Sequence, residues 1–379
     1  MPVGFGQTSI TRISVDRNAP TPALVDDYTL ANLLSYRTKT LWHLILHRND
    51  LYKSWVISKA HNKTRLIHAP QGSMKRALKN LNKRLLNPLQ EPLGEHVAAY
   101  RIQHSIKTAV EQHIRACPIC DGHPKETSPK RHGCPKYGTL IKLDLKDFFH
   151  STKKSWVRNC FKDLGYTHYV SDLLANLTTV SMGPEGTRKK DVVPQGSPAS
   201  GAICNLVADH RLDGAIKGYL EGLNRANALQ APWDWRYTRY SDDLIITCGE
   251  LYPPNVRKEV VSCLRRIIHE CGYRVNPKKI RTPHSYFRKR ILGIVINRKM
   301  NIAKEEYRKL RAIVHNCSKH GFETQYERAG KKNAEALIDY LQGTIGFVQF
   351  VNPEKGGKLM ASFQAAKAAW EAGRFYAKP

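Results

Sequence analysis

Acidic residues are scarce in this chain of 379 residues. It contains 32 Asp and Glu residues against 61 Lys and Arg residues, which leaves a formal net charge of +29 at pH 7. An excess of one sign this large destabilises a compact chain by self-repulsion unless a polyanion neutralises it. Solubility alone does not require so much charge, so the composition predicts nucleic acid as the leading partner class.

Long hydrophobic runs are absent as well. No segment approaches the roughly 18 consecutive apolar residues of a transmembrane helix, so no membrane partner is expected. Residues 1–27 lack the apolar core of about 7–15 residues that follows the basic start of a signal peptide. The 9 cysteines are odd in number and lie mostly as single residues in apolar runs, which is typical of reduced thiols. We therefore expect a cytoplasmic protein.

The most informative stretch is residues 240–243, Tyr-Ser-Asp-Asp, which places Asp242 and Asp243 side by side between two strand-like runs. The two runs predict a β-hairpin with the carboxylates at its tip. Adjacent carboxylates repel each other unless a cation lies between them, and their hard oxygen atoms suit Mg²⁺. Taken alone, such a pair also fits a solvated loop.

Three further segments have the patterns of regular elements. Residues 139–145 alternate as a strand, with Asp144 near its end on the face opposite the apolar stripe. Residues 194–198, Pro-Gln-Gly-Ser-Pro, predict a turn into a helix that has Ser197 as its N-cap. Residues 254–271 keep helical spacing and are followed by a glycine, which predicts a helix that ends there.

The order of these segments resembles that of the reverse transcriptases. Residues 143–149 read Leu-Asp-Leu-Lys-Asp-Phe-Phe, and the Pro-Gln-Gly turn, the Tyr-Ser-Asp-Asp hairpin, Asn-Pro-Lys-Lys at 276–279 and Leu-Gly at 292–293 follow in turn. The resemblance covers roughly residues 40–352 and looks closest to the retron-type and defence-associated bacterial enzymes.

That resemblance implies an α+β, right-hand polymerase fold with fingers, a palm with an antiparallel sheet, and a helical thumb. The implied boundaries are an N-terminal arm at 1–27, fingers at 28–138 with a Cys/His insertion at 115–137, a palm at 139–297 with a fingers-like helical segment at 153–190, and a thumb at 298–379. A cationic helix face in the fingers, around residues 75–86, suits phosphate contacts or a plain solvated surface.

The resemblance also implies catalytic roles. Asp144, Asp242 and Asp243 match the carboxylates that bind two Mg²⁺ ions, and the backbone carbonyl of Leu145 is a further metal ligand. Lys279 matches a lysine that serves as general acid for pyrophosphate, although neighbouring Lys278 leaves the register open. The implied nucleotide-binding residues are Arg65, Lys63, Leu145, Phe149, Gln195 and Gly196.

Five of these nucleotide-binding residues have a physical role in this scheme. Arg65 clamps triphosphate oxygens, with Lys63 assisting. The bulky ring of Phe149 clashes with a ribose 2′-hydroxyl and so selects deoxynucleotides. Gln195 contacts the incoming nucleotide or the template base, while Gly196 lets the backbone approach closely. The sequence leaves open whether Asp147 lines this site or caps the following turn.

The insertion between fingers and palm carries a different signal. Cys117, Cys120, His132 and Cys134, with His123 between them, have the spacing of a tetrahedral structural zinc site. A basic loop with incidental cysteines is the alternative, and the sequence does not choose between them.

The implied function is RNA-directed DNA synthesis from dNTPs on a dedicated noncoding RNA, in antiphage defence, with a DNA product and an effector protein encoded nearby. Residues 108–113 and 291–293 depart from the Asn-Ala-x-x-His and Val-Thr-Gly patterns of typical retron enzymes. A non-retron defence polymerase with protein-primed or template-independent synthesis therefore stays open. A nucleic-acid-binding scaffold with a vestigial site and an RNA-synthesising polymerase are further alternatives.

Overall fold

A computed structural model describes residues 23–59, 63–115, 138–183, 189–226, 235–249, 252–283, 288–297 and 299–373. The expected zinc ligands Cys117, Cys120, His132 and Cys134 and most of the expected N-terminal arm lie outside the described residues. The described residues form two compact units, one from the ranges 1–112 and 138–282 and the other from the ranges 113–137 and 283–379. The expected boundaries at 27, 138 and 297 remain predictions.

The strands of the first unit form three antiparallel groups. In its described part the strands are β1 Tyr52–Lys59, β2 Lys63–Pro70, β3 Thr139–Asp144, β4 Val180–Met182, β5 Lys190–Val192, β6 Trp235–Tyr240 and β7 Asp243–Cys248. β1 pairs with β2, β4 pairs with β5, and β7 lies between β3 and β6 in a three-stranded sheet. This last sheet has apolar side chains buried on both of its faces, so it lies within the core.

Helices make up most of the remaining described part of the first unit. They are α1 Asp27–Leu34, α2 Thr38–Leu46, α3 Gly72–Leu81, α4 Asn87–Gln90, α5 Ile106–Glu111, α6 Phe148–Ser151, α7 Lys154–Asp163, α8 His168–Thr178, α9 Ser200–Ala208, α10 Gly214–Ala226 and α11 Pro254–Glu270. One π-helical segment, Asn82–Leu86, joins α3 to α4, and another, Asp209–Asp213, joins α9 to α10. Every residue of α9 is buried, and the helix packs against α4 and α7.

The sequence-based helix predictions have mixed outcomes. The helix expected at 254–271 is confirmed as α11, and Gly272 follows it with φ +87°. The amphipathic segment at 75–86 is also confirmed, since its leucines are buried while its five Lys and Arg residues are exposed. The helix start predicted at Ser197 is wrong. α9 begins at Ser200 with Ala199 as its N-cap, because residues 197–200 form a separate turn in which Ser197 Oγ accepts from Ala199 N and Ser197 O accepts from Ser200 N, both at 3.3 Å.

The second unit is mainly helical. It contains a short hairpin, β8 Arg290–Ile291 and β9 Ile294–Val295, and the helices α12 Lys304–His320, α13 Ala334–Val351 and α14 Pro353–Glu371. The buried stripe of α12 consists of Leu310, Val314 and Cys317. The ring of Phe363 on α14 meets that of Phe322 edge-on, with the ring centroids 6.2 Å apart. Among the described helices, none combines the length and apolar character needed to cross a bilayer.

Candidate active site

The β6–β7 hairpin ends in a two-residue turn. Tyr240 and Asp243 pair across the strands, so Ser241 and Asp242 form the turn itself, with Ser241 in a left-handed conformation at φ 60°. The predicted position of the two carboxylates at a hairpin tip is confirmed. β3 pairs with the other edge of β7 so that Asp144 lies directly opposite Asp243. The backbone N–H of Leu145 donates to Asp242 O at 2.9 Å and joins the two segments.

These carboxylates are poorly compensated by the protein. Asp144 is only 6% exposed, and burial together with the charge of Asp242 raises its pKa although Lys279 lies beside it. Burial, followed by the charge of Asp242, also raises the pKa of Asp243 to about 6. Lys142 and Lys279 offset part of that rise. A site with this excess of negative charge favours a cation.

Lys279, rather than Lys278, reaches the carboxylates. Its Nζ contacts the carboxylate of Asp144, and the side chain is 44% exposed. A 3₁₀ turn, Pro277–Lys279, directs it there, and the side chain of Asn276 caps that turn by accepting from Lys278 N. Burial disfavours the charged amine, but the hydrogen bond and charge of Asp144 outweigh it and raise the pKa of Lys279.

The chemistry of the donor groups at the tip suits a divalent metal ion. Asp144 lies at the end of β3, Asp243 at the start of the adjacent strand β7, and Asp242 in the turn between β6 and β7. Their carboxylates provide the hard oxygen ligands that Mg²⁺ sites require. The raised pKa values of Asp144 and Asp243 show that burial and mutual repulsion are not fully balanced by the lysines.

The two phenylalanines after Asp144 have different environments. Phe148 is buried, and its ring centroid lies 5.8 Å from that of Tyr273, so Phe148 belongs to the core. Phe149 is half-buried and meets the ring of Tyr100 edge-on at 6.2 Å. Asp147 stands at the N-cap position of α6 with φ 50°, yet its side chain makes no capping hydrogen bond. The capping alternative for Asp147 is therefore wrong.

The Pro-Gln-Gly turn packs against β2. The N–H of His68 donates to Gln195 O at 2.8 Å, and a Cβ placed on Gly196 would lie 2.8 Å from both His68 O and Ile67 Cγ2. With φ +125° as well, Gly196 is required by its conformation and by this close approach. Arg65 is exposed on the same strand, and Lys63 begins it; the side chain of Lys63 is outside the described residues.

A buried ionic network below the hairpin was not predicted from the sequence. Arg239 is 0% exposed, and its Nε and Nη2 donate to the carboxylate of Asp213 at 2.9 and 2.8 Å. Its Nη1 donates to Asn205 Oδ1 at 2.9 Å, and the hydroxyl of Tyr237 donates to Asp213 at 2.7 Å. The sequence signal that could have indicated this network was Arg239, an arginine inside the strand that leads to Asp242 and Asp243.

This network also contains three side chains that resemble a metal site. Within the described residues, His96, Asp209 and Asp213 place one ligand atom each within 4.8 Å of one another. Arg239 already donates hydrogen bonds to both oxygens of the Asp213 carboxylate. Burial would raise the pKa of Asp213, but the charge of Arg239 holds it well below its usual range. Hydrogen bonds to Asp209 and Asp213 outweigh burial and raise the pKa of His96, which favours the protonated ring that cannot bind metal. We therefore assign a structural role to this cluster.

Comparison with known proteins agrees with the order of the motifs. A family model described as reverse transcriptase (RNA-dependent DNA polymerase) matches residues 57–296, which include the carboxylate cluster, Lys279 and the Pro-Gln-Gly turn. The chain is 28% identical to the retron Mx65 reverse transcriptase of Myxococcus xanthus, over 87% of this chain and 69% of that protein. It is 26% identical to the retron Mx162 enzyme of the same organism, over 88% of this chain and 65% of the relative.

A third relative is the retron Ec86 reverse transcriptase of Escherichia coli, 27% identical over 65% of this chain and 67% of that protein. The chain thus spans about two thirds of the length of these relatives. Among solved structures, telomerase from Candida albicans in complex with a TWJ fragment of telomeric RNA has a TM-score of 0.42 and 12% identity, covering 88% of this chain and 61% of the telomerase chain.

Proposed function

Because this chain belongs to the reverse transcriptase (RNA-dependent DNA polymerase) family and is of the retron type, we propose that it synthesises DNA on a noncoding RNA at the carboxylate cluster described above. The observation that carries the assignment is the β3–β7 register, which places Asp144 opposite Asp243. Burial and mutual repulsion raise the pKa of both carboxyls, as expected for a site that is completed by a cation.

Asp144, Asp242 and Asp243, with the carbonyl of Leu145, are the residues that would hold two Mg²⁺ ions. When bound, such ions activate a primer 3′-hydroxyl and neutralise the triphosphate. Lys279 holds a proton at Nζ, because its ion pair with Asp144 raises its pKa. In that state it is suited to donate the proton to the departing pyrophosphate.

The remaining predicted residues have roles on the nucleotide side. The ring of Phe149 would exclude a ribose 2′-hydroxyl, and the turn at Gln195 and Gly196 would contact the incoming nucleotide or the template base. Arg65, on the exposed β1–β2 hairpin, supplies a guanidinium for triphosphate oxygens. The exposed cations of α3 and the following π-helical segment bind the RNA backbone through phosphate contacts.

In this proposal the fold is a right hand. The β1–β2 hairpin with α1–α5 acts as fingers, the three-stranded sheet with its helices as palm, and α12–α14 as thumb. The biological setting is antiphage defence with an effector protein encoded nearby. The departures at 108–113 and 291–293 bear on priming, which is either from RNA or from protein.

The proposal is tested by DNA synthesis and by a matched pair of variants. The purified protein should extend a primer on the RNA that co-purifies with it, using dNTPs, and sequencing should recover both that RNA and its DNA copy. Asp242→Asn should lower the rate by about 1,000-fold or more while RNA binding stays unchanged. Asp50→Asn, on an exposed carboxylate, should leave both unchanged.

Three results would contradict the proposal. Biological activity that survives Asp242→Asn would favour the scaffold alternative. Ribonucleotide incorporation by the unmodified protein at rates equal to those for dNTPs would favour an RNA-synthesising polymerase. Synthesis that does not depend on added or bound RNA would favour the template-independent alternative.

A further inference from the structure

Tyr100 connects two parts of the proposed active site. Its hydroxyl lies 3.1 Å from the hydroxyl of Ser241, which forms the hairpin turn together with Asp242. Its ring meets that of Phe149 edge-on, with centroids 6.2 Å apart and planes at 67°. One side chain thus contacts both the turn that carries a carboxylate and the proposed sugar-selecting ring.

The side chain of Tyr100 is closely packed on a third side by a helix. A Cβ placed on Gly201, near the start of the buried helix α9, would lie 2.7 Å from Tyr100 Cδ1. Any side chain larger than hydrogen at residue 201 would therefore push the ring away. Tyr100 nevertheless remains 51% exposed, so its ring packs against Gly201 on one side and is accessible to solvent on another.

The backbone of Tyr100 is held in an uncommon conformation by buried amides. Its φ of 58° is left-handed, which a residue other than glycine keeps only where its surroundings hold it. Gln90 donates to Tyr100 O at 3.3 Å, and Asn205 donates to Ala99 O at 2.6 Å. Arg239 donates to Asn205 in turn, so the buried ionic network extends to Tyr100.

We propose that Tyr100 is a positioning residue for sugar selection, which it achieves by supporting the ring of Phe149 and anchoring the turn at Ser241. The inference rests on the proposed function, since it assumes that Phe149 selects the sugar. Edge-on aromatic pairs resist displacement of either ring, so Phe149 is held against the 2′-hydroxyl of a ribonucleotide. The hydroxyl of Tyr100 also provides a reason for serine at residue 241, because alanine could not accept or donate this hydrogen bond.

The test compares the kcat/KM ratio for dNTP over rNTP among variants of the full chain. Tyr100→Leu should lower that ratio by roughly three- to tenfold, because it removes the ring that supports Phe149. Tyr100→Phe keeps the ring and should keep most of the ratio. Tyr169→Leu, at an exposed tyrosine on α8, is the matched control and should leave the ratio unchanged.

A double variant shows whether Tyr100 acts by supporting the ring of Phe149 or by contacting the nucleotide directly. If Tyr100 acts through Phe149, then Tyr100→Leu should have no further effect on the ratio when Phe149→Ala is already present. An additive effect in the double variant would overturn the proposal, as would an unchanged ratio in folded Tyr100→Leu. If Tyr100→Leu fails to fold, Gly201→Ala displaces the ring from the other side and should lower the ratio in the same way; an unchanged ratio in that variant would equally overturn it.

A double-mutant cycle tests the hydrogen bond between the hydroxyls of Tyr100 and Ser241. Tyr100→Phe and Ser241→Ala each remove the same hydrogen bond, so the double variant should lose no more dNTP kcat/KM than either single variant. Independent, additive losses would overturn the link between Tyr100 and the turn. Failure of the unmodified protein to incorporate dNTPs at all would instead refute the proposed function.

Discussion

Two clusters of acidic side chains lie on neighbouring parts of the first unit, and they differ in how their charge is balanced. Below the hairpin, Asp213 is paired with Arg239 inside the protein, and its pKa lies well below the usual range. At the hairpin tip, Asp243 on β7 pairs with Asp144 on the adjacent strand β3, and the pKa of Asp243 is raised to about 6. One cluster is complete in the folded chain, whereas the other requires a further positive charge.

The contrast shows that proximity of acidic groups does not by itself identify a metal site. His96, Asp209 and Asp213 satisfy a simple distance criterion, but an arginine already occupies the bidentate position on Asp213. At the tip, the partly exposed Lys279 contacts Asp144, yet burial and the charge of Asp242 still raise the pKa of that carboxyl. Charge compensation therefore distinguishes a cluster that stabilises the fold from one that binds a ligand.

The largest expected effect on stability comes from breaking the compensated cluster. Asp213→Asn leaves Arg239 charged and fully buried, so we expect it to lower the free energy of unfolding by about 3–5 kcal/mol. Asp209→Asn is the matched control, since that carboxylate is partly exposed and its hydrogen bond goes to His96; its cost should stay below about 1 kcal/mol. Urea denaturation measures both, and equal losses would show that Arg239 does not depend on Asp213.

A smaller effect, of opposite sign, is expected at the tip. Asp243→Asn removes a charge that burial and Asp242 disfavour, so the protein in EDTA at pH 7 should gain about 1–3 °C in Tm. Asp172→Asn, at an exposed carboxylate, should produce no gain. Added Mg²⁺ should stabilise the unmodified protein more than Asp243→Asn and so narrow the difference. A loss of Tm in EDTA comparable with that of Asp213→Asn would contradict this view of the tip.

The smallest expected effect is a pH dependence in the buried network. Burial lowers the pKa of His96, but the hydrogen bonds and charges of Asp209 and Asp213 outweigh it and raise the pKa in the folded state. Its stabilising contribution is therefore complete below the unfolded-state pKa of about 6.5 and is lost as pH rises through the folded-state value.

Between pH 6 and pH 8, the unmodified protein should consequently lose more stability than His96→Gln does. The difference should be on the order of 1 kcal/mol, the size of one charge-assisted hydrogen bond. Thermal unfolding at both pH values measures it, with His47→Gln, at an exposed histidine, as control. Parallel pH profiles for the unmodified protein and His96→Gln would rule out protonation of His96 as the cause.

The local features of the site were predictable from the sequence. The strand-like runs on either side of residues 240–243 indicated a hairpin with two carboxylates at its tip, and helical spacing indicated α11, since both depend on neighbours along the chain. The start of α9 was predicted incorrectly, because residues 197–200 form a separate turn before the helix. The contact of Lys279 with Asp144 was undecided from spacing and depends on the 3₁₀ turn capped by Asn276.

The amino-acid sequence by itself determined the excess of positive charge, the order of the motifs and the short elements that carry them. These properties arise from composition and from periods of two to four residues. Only the tertiary structure decided that Arg239 is neutralised by Asp213, that Asp144 lies opposite Asp243, and that the ring of Tyr100 meets that of Phe149. Those outcomes depend on partners far apart in the chain, where strand register and helix packing set which charges and rings meet.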